Sequence, residues 1–183
     1  MAEDGTKVYS GTISMTFAFE VPQVKMKGRD VSEATKAAND ALNRGVTAGI
    51  RDSAIAIKPA LNEAMAQSVW GWPNTTIRKN TSDVRAPRDI VDTANLRDSM
   101  DTSTVGEKLV ITYTAPYASM VHYGGITRPY GRGKDSFVYP ARPWISSLLE
   151  GKNGINKFPL MDIIDRNVKK EWATRYQNKT FQV

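Results

Sequence analysis

The chain contains one histidine and no cysteine, which leaves few side chains for nucleophilic or metal chemistry. His122 lies between aromatic and apolar residues, in the segment Tyr-Ala-Ser-Met-Val-His-Tyr at 117–123. A catalytic triad needs a hydroxyl and a carboxylate around the imidazole, and the sequence places neither beside it. A zinc site needs several histidine or cysteine ligands. We therefore expect His122 to be structural, and we assign no catalytic, cofactor-binding or metal-binding residue.

The segment 125–135 is rich in glycine and charge and contains Gly-Arg-Gly-Lys at 131–134. A nucleotide-binding P-loop follows a strand and ends in Gly-Lys-Ser or Gly-Lys-Thr, and neither feature is present here. The simpler interpretation is that these glycines allow a surface loop to adopt positive φ angles. Basic side chains of this loop are candidates for contact with DNA phosphates, namely Arg128, Arg132 and Lys134.

Carboxylates are frequent between residues 83 and 101, but their spacing fits neither an EF-hand nor a two-metal site. We expect them to be solvated surface charges. The chain also has four tryptophans: Trp70, Trp72, Trp144 and Trp172. Large aromatic residues beside helix ends serve as core residues or as anchors of subunit interfaces, and the sequence leaves both open.

The composition is that of one ordinary domain spanning residues 1–183, with 40% hydrophobic and 24% charged residues. No stretch of eighteen apolar residues is present, and the N-terminus lacks the features of a secretory signal. We therefore expect no contact with a membrane and a location in the cytoplasm of the producing cell. A net charge of +6 permits non-specific attraction to nucleic acid, which alone does not indicate a function.

The first half of the chain predicts a strand followed by a long helix. Residues 7–21 alternate between apolar and polar side chains, which is typical of a half-buried strand. Asp30 and Glu33 have the spacing of a capping box, and apolar residues then recur at helical spacing from Ser32 to Trp70. This stripe is rich in small residues and so allows close approach of another backbone. Pro59 should kink or restart the helix.

The second half predicts shorter elements. We expect a long loop or mobile arm at 75–92, strands at 96–102 and 107–114 joined by a turn at 103–106, a helical turn at 116–121 and a mobile loop at 125–135. A strand at 136–139, a helix at 143–149 and an amphipathic C-terminal helix at about 159–177 follow. This order predicts an α+β fold, with a small, mostly antiparallel sheet packed against one long N-terminal helix and a C-terminal helix.

Three segments, in this order, resemble the tail-completion or head–tail joining proteins of long-tailed bacteriophages, the gene-ten-like tail components of lambdoid phages. The first is Asp-Thr-Ala-Asn-Leu-Arg-Asp-Ser-Met at 92–100. The second is Ala-Pro-Tyr-Ala-Ser-Met-Val-His-Tyr-Gly at 115–124. The third is Tyr-Pro-Ala-Arg-Pro-Trp-Ile at 139–145. A long helix ahead of these segments is also similar to the family, whereas the strand at 7–21 and the tail beyond Gly151 depart from it.

The resemblance implies a non-enzymatic virion protein without a cofactor, assembled in the cytoplasm of the bacterial host. Such a subunit forms a homo-oligomeric ring, six-membered to match a tail tube, between the connector or adaptor proteins of the DNA-filled head and the tube or sheath proteins of the tail. DNA passes through its lumen. The resemblance leaves open whether the subunit is the head-side neck protein or the tail-side terminator, whether the ring has six or twelve members, and whether the tail contracts.

Four residues within the resembling segments are candidates for the subunit interface: Tyr117, Tyr123, Arg142 and Trp144. Aromatic residues and arginine are common interface anchors. For Tyr117 and Trp144, a position in the core is an equal alternative.

The alternative function is a basic DNA-binding or DNA-packaging accessory protein. It would require a concentrated basic face, whereas the basic residues here are interspersed with aspartates. A hydrolase or nuclease ranks last, because the chain has one histidine and no spaced acidic motif.

Overall fold

The computed structural model describes residues 11–25, 32–71, 76–77, 83–84, 87, 89–91, 94–127 and 137–176. In chain order the elements are β1 (Ile13–Ala18), α1 (Ser32–Ala66), β2 (Thr76–Ile77), β3 (Asp83–Val84), α2 (Asn95–Asp98), β4 (Met100–Val105), β5 (Lys108–Tyr113), α3 (Ala118–Tyr123), β6 (Gly125–Thr127), β7 (Phe137–Tyr139), α4 (Trp144–Glu150) and α5 (Leu160–Tyr176). A long N-terminal helix, a small antiparallel sheet and a C-terminal helix confirm the predicted α+β fold.

The main sheet has three strands in the order β1-β5-β4. A two-residue turn, Gly106-Glu107, joins β4 to β5, and Gly106 has the positive φ (58°) that such tight turns require. The predicted hairpin is therefore confirmed, although its turn lies later than the predicted 103–106. In β5 the buried residues Leu109, Ile111 and Tyr113 alternate with more accessible ones, as expected for a sheet with one covered face.

The chain divides into two compact units, each built from three parts of the sequence. Unit 1 lies within 1–15, 58–101 and 111–158, and unit 2 within 16–57, 102–110 and 159–183. Helix α1 contributes to both, up to Ile57 in unit 2 and from Lys58 onward in unit 1. The largest fully buried side chains of unit 1 include Trp144, Tyr113, Leu61, Met65, Ile111 and Ile145, and those of unit 2 include Ile50, Ile57 and Leu109.

In unit 2, α1 and α5 approach closely at two glycines. A Cβ at Gly45 would lie 2.6 Å from the Cα of Val168, and a Cβ at Gly49 would lie 2.6 Å from the Cα of Ile164. The sequence predicted that a stripe of small residues on α1 would admit another backbone. The close approach instead occurs at two glycines that did not belong to the predicted stripe. Next to it, the Asn167 amide donates to Asp52 Oδ2 at 2.9 Å.

Helix α1 continues through Pro59, so the predicted restart does not occur there. An interior proline costs about 3 kcal/mol in a helix. Ile57 and Leu61 on either side are fully buried, and burying each contributes about 1.5–3 kcal/mol, enough to offset that cost. The helix ends at Ala66 rather than at the predicted Trp70. The Trp70 indole instead donates to the Ala64 carbonyl at 3.1 Å and satisfies one of the terminal acceptors.

Three predicted segments need correction. Within the predicted loop 75–92, β2 and β3 form a short antiparallel ladder, with Thr76 opposite Val84. The predicted strand at 96–102 begins only at Met100, because residues 95–98 form the helical turn α2. The predicted loop 125–135 starts with β6, which pairs with β7 in a second ladder. The remainder of that loop, residues 128–135, lies outside the described residues.

The C-terminal helix is confirmed at Leu160–Tyr176, but its buried face is not fully the predicted one. Ile163 and Ile164 are buried, whereas Met161 is 65% exposed and Trp172 37% exposed. On α1, Ile55 belongs to the apolar residues at helical spacing but is 71% exposed. No helix in the described part of the chain is both long enough and apolar enough to cross a membrane.

Candidate functional site

The three segments that carry the phage resemblance come together in unit 1. The Thr114 N–H, next to the second segment, donates to the carbonyl of Ser99 in the first segment at 3.1 Å. The Arg142 N–H, in the third segment, donates to the carbonyls of Val121 and His122 at 3.1 and 3.2 Å. Backbone hydrogen bonds therefore join residues that lie about 15 to 21 positions apart in the sequence.

A glycine allows two of these segments to touch. Gly124 has a φ of 75°, a conformation that other residues rarely adopt. A Cβ at this position would lie 2.8 Å from both the Tyr139 carbonyl oxygen and the Ala141 nitrogen. The glycine that ends α3 is thus needed for its backbone conformation and for the close approach of the third segment.

Aromatic side chains cluster where the second and third segments meet. The rings of His122 and Trp144 meet edge to face, with centroids 4.7 Å apart, and Tyr113 contacts Trp144 in the same manner at 5.3 Å. The Tyr113 hydroxyl donates to the sulfur of Met65 at 3.8 Å, and its burial raises the pKa of that hydroxyl. Trp144, Tyr113 and His122 are all at most 1% exposed, so the cluster belongs to the core of unit 1.

His122 is neutral near pH 7 in this setting. Burial lowers the pKa of its imidazole to about 4, because removal from water disfavours the protonated ring. In the described part of the chain, neither ring nitrogen has a hydrogen-bond partner. The described residues also contain no group of three His, Asp or Glu that could hold a metal ion. The surroundings of His122 are therefore aromatic, and no nucleophile or carboxylate hydrogen-bonds to the imidazole within those residues.

A pocket of about 340 Å³ opens beside the junction. All three segments contribute to its wall, together with Met65 of α1 and two residues that precede the first segment. The lining residues are Met65, Ile90, Val91, Ala94, Asn95, Leu96, Arg97, Tyr117, Val121 and Arg142. The wall is mostly apolar but includes two arginines, and Arg97 Nε donates to Asp98 Oδ1 at 3.0 Å. An apolar wall with a few polar groups is common to small-molecule sites and to sites that receive a protein side chain.

The four predicted interface residues occupy different environments. Trp144 is fully buried and Arg142 is 4% exposed, so in the single chain both side chains belong to the interior of unit 1. Tyr117 is half-buried at the pocket wall, and Tyr123 is 54% exposed on α3. Among the four, Tyr123 presents the largest accessible surface to a neighbouring subunit. The proposed DNA-facing residues Arg128, Arg132 and Lys134 lie outside the described residues.

No pattern in the sequence indicates this pocket. Met65 and Ile90 belong to a helix end and to a stretch expected to be a loop, and no local pattern connects them with residues 94–97. The Ile90 N–H donates to the Met65 carbonyl at 2.9 Å, a contact that only the folded chain reveals.

No family model, curated protein sequence or solved structure matches this chain.

Proposed function

We propose that this chain is a structural virion protein: a ring-forming subunit of the phage neck or tail-completion complex that joins the DNA-filled head to the tail. The observation that carries the proposal is the meeting of the three resembling segments in one unit. Segments that define a common fold are expected to pack together, because they form the framework on which the rest of the chain is built. These three segments share backbone hydrogen bonds and the wall of one pocket.

The chemistry of the described residues supports a structural role. His122 is enclosed by aromatic rings, and the pocket at the junction has an apolar wall of the kind that receives protein groups. An exposed aromatic residue, Tyr123, lies on α3 within the second segment. Aromatic residues bury a large area at modest entropic cost and often anchor subunit contacts. The net charge of +6 is compatible with DNA passing through a ring.

Mass measurement of the purified protein tests the proposal. Native mass spectrometry, with negative-stain microscopy of the same sample, should show a closed ring with a central opening. A protein that stays monomeric at all concentrations, alone and with purified tail tubes, would contradict the ring. A monomer that binds duplex DNA tightly would favour the alternative of a DNA-binding accessory protein.

A genetic test addresses the position in the particle. Deleting the gene from the phage that carries it should leave filled heads and free tails in the lysate, and supplying the protein in trans should restore complete particles. Normal particles in the deletion lysate would rule out the joining function.

A further inference from the structure

The main sheet has two outer edges, and the first belongs to β1. The Phe19 N–H donates to the Glu107 carbonyl at 3.0 Å, and the Ser14 and Thr112 hydroxyls lie 3.4 Å apart. Both contacts fit a single antiparallel register between β1 and β5. In that register, hydrogen bonding to β5 alternates along β1. The backbone groups that point away from β5 are those of Ser14, Thr16 and Ala18.

The second outer edge belongs to β4. The Thr114 N–H donates to the Ser99 carbonyl at 3.1 Å, just before β4 begins. As in β1, hydrogen bonding to β5 alternates along β4, so the N–H and C=O groups of every second residue point away from β5. These outward groups are those of Met100, Thr102 and Thr104. Because β1 and β4 are both antiparallel to β5, they run in the same direction.

Neither edge has the features that usually prevent pairing with another chain. Exposed edges are normally protected by lysine, proline, bulges or an inward-pointing charge. The strands β1 (Ile-Ser-Met-Thr-Phe-Ala) and β4 (Met-Asp-Thr-Ser-Thr-Val) contain no lysine, proline or glycine, and Asp101 is their one charged residue. Within the ranges that the structure describes, no further strand pairs with either edge. Each edge is thus a six-residue template for another strand.

We propose that β4 of one copy pairs in parallel with β1 of the next copy, so that the sheet continues from subunit to subunit around the ring. This inference rests on the proposed ring function. A rotation about the ring axis leaves the axial direction of a strand unchanged, so a ring that continues this sheet must join β4 to β1 in parallel. A two-fold dimer would instead join like edges, β1 to β1 or β4 to β4, in antiparallel fashion.

The residue types of the two edges agree with this pairing. β1 carries no charge, so Asp101 of β4 meets no second carboxylate in any register. Threonine and serine, frequent on both strands, pair well across strands. A β4–β4 contact, by contrast, would bring two copies of Asp101 close together.

Engineered cysteines test the pairing, and the absence of native cysteines makes every disulfide informative. Ser103 on β4 and Thr16 on β1 are exposed, and the two registers place them in one row on the same face of the sheet. Adjacent strands lie about 4.7–4.9 Å apart, within the range of a disulfide. The variant S103C, given an added tag so that its mass differs from that of every partner, is mixed with S14C, T16C or A18C and oxidised. S68C, at an exposed serine outside the sheet, replaces S103C in the control.

We expect a disulfide between S103C and at least one β1 cysteine, and a covalent ladder up to ring size from the matching double variant. A ring by native mass spectrometry without any β4–β1 disulfide overturns the pairing and leaves the proposed function intact. Disulfides only between two S103C chains also overturn it, because they report a two-fold contact. A protein that is monomeric throughout removes the proposed function together with the pairing.

Proline substitution provides an independent test. Thr104→Pro removes an N–H that points outward from β4 and is tolerated at a free edge. We expect this variant to unfold cooperatively as a monomer and to form no ring, whereas Thr104→Ala should unfold cooperatively and still form the ring. A folded Thr104→Pro variant that still forms the ring overturns the proposal. If Thr104→Pro does not fold, Thr104→Lys makes the same test, since an edge lysine opposes pairing without removing an N–H.

Discussion

Burial of His122 in an aromatic environment makes the stability of the protein depend on pH. The pKa of the imidazole is about 4 in the folded chain, below its ordinary value of 6.5 in the unfolded chain. Between these values the unfolded chain binds a proton that the folded chain does not. The free energy of unfolding therefore falls as the pH is lowered from about 6.5 towards 4, by up to about 3 kcal/mol.

The variant His122→Phe isolates this effect, because phenylalanine keeps an aromatic ring between Tyr123 and Trp144 and cannot titrate. Urea unfolding at pH 7 and at pH 4.5 should show a large loss of stability in the wild type and a clearly smaller one in the variant. All other ionisable groups are the same in both proteins, so the difference reports His122. Equal losses in the two proteins would show that the imidazole is not responsible.

The interface candidates can be separated by their burial. Trp144→Ala should lower the free energy of unfolding by about 3–5 kcal/mol, since the side chain is fully buried against Tyr113 and His122. Tyr123→Ala should cost about 1 kcal/mol or less in the single chain, because its side chain is 54% exposed. Thermal unfolding and native mass spectrometry of both variants give the comparison. We expect Tyr123→Ala to stay folded and to weaken the ring; an unchanged ring would remove Tyr123 from the interface.

At the scale of the elements, the contact between α1 and α5 depends on glycine. Gly49→Ala should gain about 1 kcal/mol in helix propensity. The added Cβ, however, would lie 2.6 Å from the Ile164 Cα, and such overpacking costs about 1–3 kcal/mol, with backbone atoms unable to rotate aside. We therefore expect a net loss of stability in thermal unfolding.

Gly71→Ala is the matched control, since no atom lies within 4 Å of a Cβ placed there. It should leave the unfolding temperature nearly unchanged. A Gly49→Ala variant as stable as Gly71→Ala would mean that α1 and α5 are free to move apart.

The elements with a clear period were predictable from the sequence, and those that depend on distant contacts were not. Helices α1 and α5 and the β4–β5 hairpin follow from spacing and turn residues. The helical turn α2 was not predictable, because it begins after Ala94, whose positive φ of 63° is unusual for alanine. The exposure of Met161 and Ile55 was not predicted either. Periodicity determines which residues share a face of a helix, whereas the element that packs against the helix determines how much of that face is buried.

The same limit applies to the candidate site. The sequence indicated the three segments and their aromatic residues, but local patterns contain no distance between residues 99 and 114 or between 121 and 142. The pocket and the aromatic cluster arise from those long-range contacts. Burial of Trp144 likewise follows from its contact with Tyr113, which lies about thirty residues earlier in the chain.

At the scale of the whole molecule, the surplus of positive charge allows a test of the proposed DNA contact. Replacing Arg128, Arg132 and Lys134 with alanine removes three positive charges and lowers the net charge from +6 to +3. If these side chains contact phosphates in the lumen, the slope of log affinity for duplex DNA against log salt should become shallower by about 2.7, or 0.9 for each lost contact. Ring assembly, measured by native mass spectrometry, should be unaffected, because none of the three residues is an interface candidate.

A second triple variant, with alanine at Arg166, Lys169 and Lys170 of α5, is the matched control. It removes the same charge from exposed positions on one helix, where the Lys169–Asp165 pair is solvent-exposed and contributes little to stability. The slope of its log affinity for duplex DNA against log salt should stay close to that of the wild type. A phosphate contact requires the side chain to reach the DNA, and a favourable net charge alone does not provide one. If the two triple variants weaken DNA binding equally, the attraction depends on total charge, and Arg128, Arg132 and Lys134 have no special position relative to the DNA.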